Sequence, residues 1–436
     1  MAITTQNNTD VTPIGRGPAA NGRTRSAGQG GARRKRSRWK TCFLGLAVLS
    51  VAAFNAWWYW RDTRPLSDGK TIALWMNRQQ YDLAEPELRE RLRRSPHDAE
   101  SRLTLSRLLA ARNDLAGCAR ELHKVPFWCP KKGEALFREG TVDLMLDRAK
   151  DAEAAWLEIL KDDPLHPQPP DIYHDAFFEL MKLYATQDRW DEAFVSLWRA
   201  YDEATPEDRF TLLLWRMRAE LERVAPAEAL PRLQNYVAAD PTDLESLRAL
   251  ARTEQALGKL DDANLHFKAC LKLAPADGKA WRDTIAMLHD RGNRQAWFAA
   301  VAKVPKETEV EPEIWKFRAM AREAADDDSG AADCYEKAIE RNPNIVEYHY
   351  RLAIVEERLG HRKQAAEQRR LAKILRDARA ELPKAHADFI EARENRPTGG
   401  PNLADSIRNL SAVCRSLGFI RAADAWKELG AASVPK

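Results

Sequence analysis

An all-α solenoid of about nine to ten helix-turn-helix units, preceded by a disordered basic tail and one transmembrane helix, is the fold class the sequence predicts. Three observations carry it. A pattern of alanine, large apolar and proline residues recurs with a 34-residue period through residues 65–379. Each unit reads as two amphipathic helices of about 13 residues joined by a turn. Ahead of the array, nineteen residues from 42 to 60 carry no charge.

The tail comes first. The chain has 69 Lys+Arg against 65 Asp+Glu, a formal net charge of +4. That charge is unevenly placed: residues 1–40 hold nine Lys/Arg and one acid, a net of +8, which leaves −4 for the rest. Up to Arg38 there is almost no large apolar side chain, so the segment cannot bury enough surface to offset the entropy of ordering. Residues 1–40 are therefore read as a disordered basic tail. With 44% hydrophobic residues overall, wholesale disorder is excluded.

Composition reverses at Cys42. The run CFLGLAVLSVAAFNAWWYW would rise roughly 28 Å as a helix, close to a bilayer's hydrocarbon core. Arg36, Arg38 and Lys40 precede it, and Trp57, Trp58, Tyr59 and Trp60 end it, where amphipathic rings favour a headgroup region. Residues 41–61 are accordingly expected to form a transmembrane signal-anchor helix. The basic flank sets the N-terminus inside and the body outside, periplasmic in a bacterium. A cleaved signal peptide is the alternative, with Ser50-Val51-Ala52 as a small-x-small site, and would release a secreted soluble protein.

The repeats follow. The clearest unit is 244–277, LESLRALARTEQALGKLDDANLHFKACLKLAPAD, and 312–345 matches it in the same frame. Five units run without a gap from 210 to 379, a sixth at 174–207 fits after a two-residue offset, and three more occupy 65–166. A proline-rich insertion at 167–173 separates the two blocks. The twentieth position is Ala84, Ala152, Ala193, Ala229, Ala263, Ala331 and Ala365; the twenty-fourth is Leu88, Leu122, Trp156, Leu197, Leu233, Phe267, Val301 and Tyr335. Leu105, Leu180, Leu250 and Leu352 hold the seventh position, Trp281 and Trp315 the fourth, and proline closes six units. Small residues let paired helices cross closely, while proline cannot continue the second helix.

This pattern resembles the tetratricopeptide-repeat (TPR) family, and the resemblance implies a right-handed superhelix with a concave groove. Asp68 and Arg102 depart from it at the fourth position, and Trp297 replaces the small twentieth residue of repeat seven. Beyond the array, a helix from Lys363 to Leu382 is expected to run on toward a linker, with 380–402 as extension and linker. Residues 403–430 read as a degenerate repeat or C-terminal cap.

No catalytic motif is present: no phosphate-binding loop, no His-Glu-x-x-His and no nucleophile elbow. The six cysteines include no Cys-x-x-Cys pair, and the nine histidines are scattered, so no metal or cofactor is expected. An enzyme domain has no room, because the array leaves only the two ends unclaimed.

The resemblance implies instead that first-helix positions 5, 9 and 12 face a ligand. These are Arg107, Lys182, Arg218, Arg248, Arg252, Arg282 and Lys316, with Phe137, Phe178 and Tyr350 among them. Seven cations on a net-acidic body would form a basic stripe for an acidic segment or terminal carboxylate; ordinary solvated helix faces are the bland alternative. The function this implies is a membrane-anchored scaffold that binds protein or peptide segments and helps organise an envelope complex. Nucleic-acid binding through the Arg/Gly tail is the other class, weakened by the absence of aromatics for base stacking from Arg16 to Arg38.

Overall fold

The computed structural model describes residues 49–60, 62–161, 170–394 and 402–432. The tail and the start of the apolar run, with Arg36, Arg38 and Lys40, lie outside them. Residues 1–66 and 67–436 form two separate compact units.

In the first unit, residues 49–60 are helical and exposed. The expected transmembrane helix is not supported. No helix among the described residues is long and apolar enough to cross a membrane. Trp57, Trp58, Tyr59 and Trp60, expected as interface anchors, are about half or more exposed. The single-pass topology and the extracytoplasmic placing of the body fall with the span.

The second unit is helical throughout its described residues, in ten successive pairs. The first four are α1 (Gly69–Asn77) with α2 (Tyr81–Arg94), α3 (Ala99–Ala111) with α4 (Leu115–His123), α5 (Lys132–Met145) with α6 (Ala149–Ile159), and α7 (Pro170–Thr186) with α8 (Trp190–Glu203). Then come α9 (Pro206–Leu221) with α10 (Pro226–Ala239), α11 (Leu244–Ala256) with α12 (Leu260–Leu273), and α13 (Gly278–Asp290) with α14 (Arg294–Lys303). The last are α15 (Pro312–Glu323) with α16 (Asp328–Arg341), α17 (Val346–Arg358) with α18 (Arg362–Glu394), and α19 (Leu403–Ser416) with α20 (Ile420–Ala432). Pro170 already opens α7, so the last four residues of the proline-rich insertion are helical.

Side-chain caps start many of these helices. The carboxylates of Asp68, Asp98, Asp243 and Asp277 accept backbone N–H groups at the starts of α1, α3, α11 and α13, each satisfying a donor the helix itself leaves open. The turns inside the pairs are equally regular. Gly258, Gly292 and Gly360 lie in the left-handed region, and so do Gln79, Asn113, Asp147, Asp188 and Asp326 where glycine is missing. The N–H of the following residue then reaches back into the last helical turn, as Lys259 does to the Glu254 carbonyl at 2.8 Å, closing the helix as a Schellman turn.

All seven position-20 alanines and all eight position-24 side chains are buried. Position 8 matters just as directly at Gly140, where an added Cβ would fall 2.5 Å from the Trp156 indole nitrogen. That indole fills the space and donates to the Phe137 carbonyl at 3.3 Å.

Pair five breaks the pattern. Glu222, where the turn residue is due, is extended (φ −117°, ψ 114°). Helix α10 packs on α11, while α9 packs on α8 and on the distant α20. The C-terminal pair thus returns to the middle of the array. Its core joins Leu213 and Met217 of α9 to Leu382, Phe389, Leu410 and Trp426, and Arg421 pairs with Asp202 across the junction. This docking also explains α18. The sequence predicts a stop before Pro383, yet the helix runs on to Glu394. The backbone bond that proline forfeits costs about 3 kcal/mol, and burial of Leu382, Ala385 and Phe389 offsets it.

Burial works against one carboxyl. Asp143 on α5 is 6% exposed; burial first, then the charges of Asp151 and Glu139, push its pKa up to about 6 despite Arg148. A raised carboxyl pKa means the native state holds its proton longer than the unfolded chain. This group's contribution is therefore most favourable below about pH 4 and is lost as pH rises through 6. Asp143→Asn is expected to stabilise the protein by about 2 kcal/mol at pH 8 and to change little at pH 4. Urea melts at both pH values check this; equal gains at both would refute the linkage.

Candidate functional site

Three of the predicted cations meet. Arg248 and Arg252 on α11 and Arg282 on α13 line a cavity of about 560 Å³ together with the α7–α8 turn. The turn reaches them because Asp188 adopts positive φ (52°) and Gln187 donates to Ser246 at 2.9 Å. This brings in three cations that the repeat positions do not single out: Arg189, Arg223 and Lys279.

The expected basic stripe is neutralised. Five carboxylates line the same cavity: Asp188, Asp191, Glu192, Asp283 and Glu313. Arg252 pairs with Asp188, Lys279 with Glu192 and Arg248 with Glu245, while Arg282 holds Asp283 at 2.8 Å. Burial alone would discourage the Arg189 charge, but the hydrogen bond and charge of Glu153 prevail and hold the guanidinium above its ordinary range. Arg282 is shifted the same way: burial opposes its charge and Asp283 outweighs burial. Glu192 is buried too, yet the Lys279 hydrogen bond keeps its carboxyl below the usual range.

The pairing is incomplete at the deepest atoms. Arg189 Nε, Arg248 Nη1 and Asp283 Oδ2 are buried without a hydrogen-bond partner. Their nearest opposite charges stand off: Arg189 Nε is 3.6 Å from Glu192 and from Glu245, and Arg248 Nη1 is 3.9 Å from Asp283. Those separations exceed hydrogen-bond length.

Lys182 and Arg218 line a second cavity of about 340 Å³, walled by Met181, Trp190, Trp215 and Val224. Phe178 packs against the Trp215 ring at 5.5 Å, and Arg218 lies 5.8 Å from the same ring while pairing with Glu222 at 2.6 Å. Trp190 and Arg223 belong to both cavities, with Arg223 4.4 Å above the Trp190 ring. The two spaces therefore adjoin.

The other predicted residues stand apart. Arg107 is exposed and paired with Glu134 at 3.2 Å; Phe137 packs into the core of pairs three to six; Lys316 pairs with Glu347 at 3.4 Å; Tyr350 is 57% exposed. Sequence position could not find Arg189 or Arg223, which lie in turns outside the first-helix positions. Among the described residues, no group of three or more His, Cys, Asp or Glu is placed to hold a metal. Cys118 and Cys129 are free thiols.

No protein-family profile matches the chain, and no curated protein sequence matches it. Among solved structures it is similar to MamA from Desulfovibrio magneticus RS-1, at 21% identity over 38% of this chain and 95% of that one, with a TM-score of 0.31. It is also similar to the Cut9–Hcn1 hetero-tetramer of the APC/C (13% identity, 82% and 79% covered, TM-score 0.32). A monomeric IFIT1 mutant with Gppp-AAAA gives 12% identity, 78% and 91% covered, and a TM-score of 0.34. At such scores these likenesses add nothing to the helix-pair description above, and the site rests on its own geometry.

Proposed function

We propose that this chain is a non-catalytic scaffold that holds segments of other proteins against the inner helices of its repeat array. The observation that carries the reading is the pair of adjoining cavities around Trp190 and Arg223. Their walls come from α7, α8, α9, α10, α11, α13, α15 and the turns between them, so no single repeat owns the site. Apolar and aromatic surface beside densely placed charges is the chemistry of a protein-recognition surface: rings supply contact area, and fixed charges supply register. The Arg/Gly tail, on which the nucleic-acid reading rests, lies outside the described residues.

Photo-crosslinking residues placed singly at Arg252, Arg218 and Arg107 test this. Peptides of a small, shared set of proteins should be captured at the first two positions and not at Arg107, which lines neither cavity. Capture of RNA, or the same catch at all three positions, would overturn it.

A further inference from the structure

The composition of the two cavities says what kind of segment would fit. The charged one presents six cations and five carboxylates, and among its buried polar atoms two donors, Arg189 Nε and Arg248 Nη1, and one acceptor, Asp283 Oδ2, are left unbonded. Arg248 is 3% exposed and Asp283 6%, yet Arg248 Nη1 and Asp283 Oδ2 face each other at 3.9 Å without bonding. A wholly acidic segment would lay its charges against five carboxylates. A wholly basic one would meet six cations. In a half-enclosed space, like charges brought together are strongly disfavoured, whereas opposite pairs set specificity. The complement of a near-balanced lining is a near-balanced ligand.

The second cavity adds the other half. Met181, Trp190, Trp215 and Val224 offer it apolar walls, and a buried aromatic or aliphatic anchor is what such pockets take at protein interfaces. Trp190 lies on the boundary with both spaces, so anchor and charges must be near neighbours in the bound chain.

We propose that the adjoining cavities form one bipartite seat for a polypeptide segment that carries a large apolar side chain close to both an acidic and a basic residue. This rests on the scaffold reading above and replaces the acidic ligand that first-helix cations alone would select. The segment's anchor enters between Trp190 and Trp215. Its carboxylate meets Arg248 and Arg252, and its cation meets Asp188 and Asp283.

Fluorescence anisotropy on the full chain with three synthetic peptides tests it. One carries a Trp anchor flanked by Glu and Lys, one the same anchor flanked only by Glu, and one the mixed charges with Ala in place of the anchor. The first should bind at least about tenfold tighter than either other. Arg252→Ala, at the rim, and Trp215→Ala should each weaken it while the helical circular dichroism is unchanged. An acidic anchored peptide binding as tightly, or an anchorless one, would overturn the bipartite seat and leave segment binding standing. If no peptide binds while crosslinking at Arg252 still captures a protein, the seat is likewise wrong and the scaffold stands. Should crosslinking fail as well, both readings fall.

Discussion

Trp426→Ala is expected to lower the free energy of unfolding by about 3–5 kcal/mol and to release the C-terminal pair to protease before the rest of the array. Trp426 is fully buried, with its ring 5.0 Å from Phe389 and 6.4 Å from Phe210. It therefore joins α20 to α18 and to α9, an element more than two hundred residues earlier in the chain. Truncation leaves a cavity between three helices that are each held elsewhere, so little collapse can fill it. Trp426→Phe should cost far less, under about 1.5 kcal/mol. The Trp426 Nε1 has no hydrogen-bond partner, and phenylalanine removes that unpaired donor together with part of the ring. Urea unfolding followed by circular dichroism separates the two. If alanine and phenylalanine cost the same, the indole N–H is bonded after all. If alanine costs less than about 1 kcal/mol, the cavity left by the indole is too small for a docked pair, and the C-terminal helices do not pack on α9. Because Leu213 and Met217 of α9 pack on this pair while Trp215 and Arg218 line the apolar cavity, the alanine variant should also weaken segment binding.

The repeat frame was legible because it rests on burial within each pair. Ala263 and Phe267 lie one helical turn apart and pack with Ala251 of α11 and Met287 of α13; nothing beyond the neighbouring repeat is needed to bury them. The turns were half legible. Glycine at 258, 292 and 360 announces a left-handed residue, whereas Asp147 and Asp188 adopt the same φ and look like ordinary solvated acids. Long-range closure left no signal at all. Leu382-Pro383 reads as a helix end, and only the docking of α20 on α9 makes continuation worthwhile. The charged cavity was missed for the same reason. Arg248, Arg252 and Arg282 share a face by repeat position, but Asp188, which neutralises Arg252, arrives from a turn 64 residues earlier. A one-dimensional pattern shows the cations and hides their partners. The uncharged run at 42–60 misled in the opposite way, since hydropathy along the chain is local, whereas no helix among the described residues is both long and apolar enough to cross a membrane.

Arg189→Ala is expected to destabilise the protein by about 3–5 kcal/mol, more than any exposed arginine of the array. Its guanidinium holds both Glu153 oxygens, at 2.7 and 2.8 Å, donates to Gln187 at 2.9 Å, and lies 4.6 Å over the Tyr184 ring. Gln187 in turn donates to Ser246, so one side chain links repeats three, four and six. Removing it leaves Glu153 with the Tyr184 hydroxyl, which donates at 2.9 Å, as its remaining close partner. The cost is mostly that of a half-buried carboxylate without its cation. Exposed pairs such as Arg218–Glu222 give a contrast: Arg218→Ala should change stability by no more than about 0.5 kcal/mol in the same urea melts. A double-mutant cycle with Glu153→Leu completes the test. The paired apolar variant should recover most of the loss, giving a coupling above about 2 kcal/mol. Additive losses would mean that Arg189 supports the turn by packing on Tyr184 alone, and that Glu153 is hydrated without it.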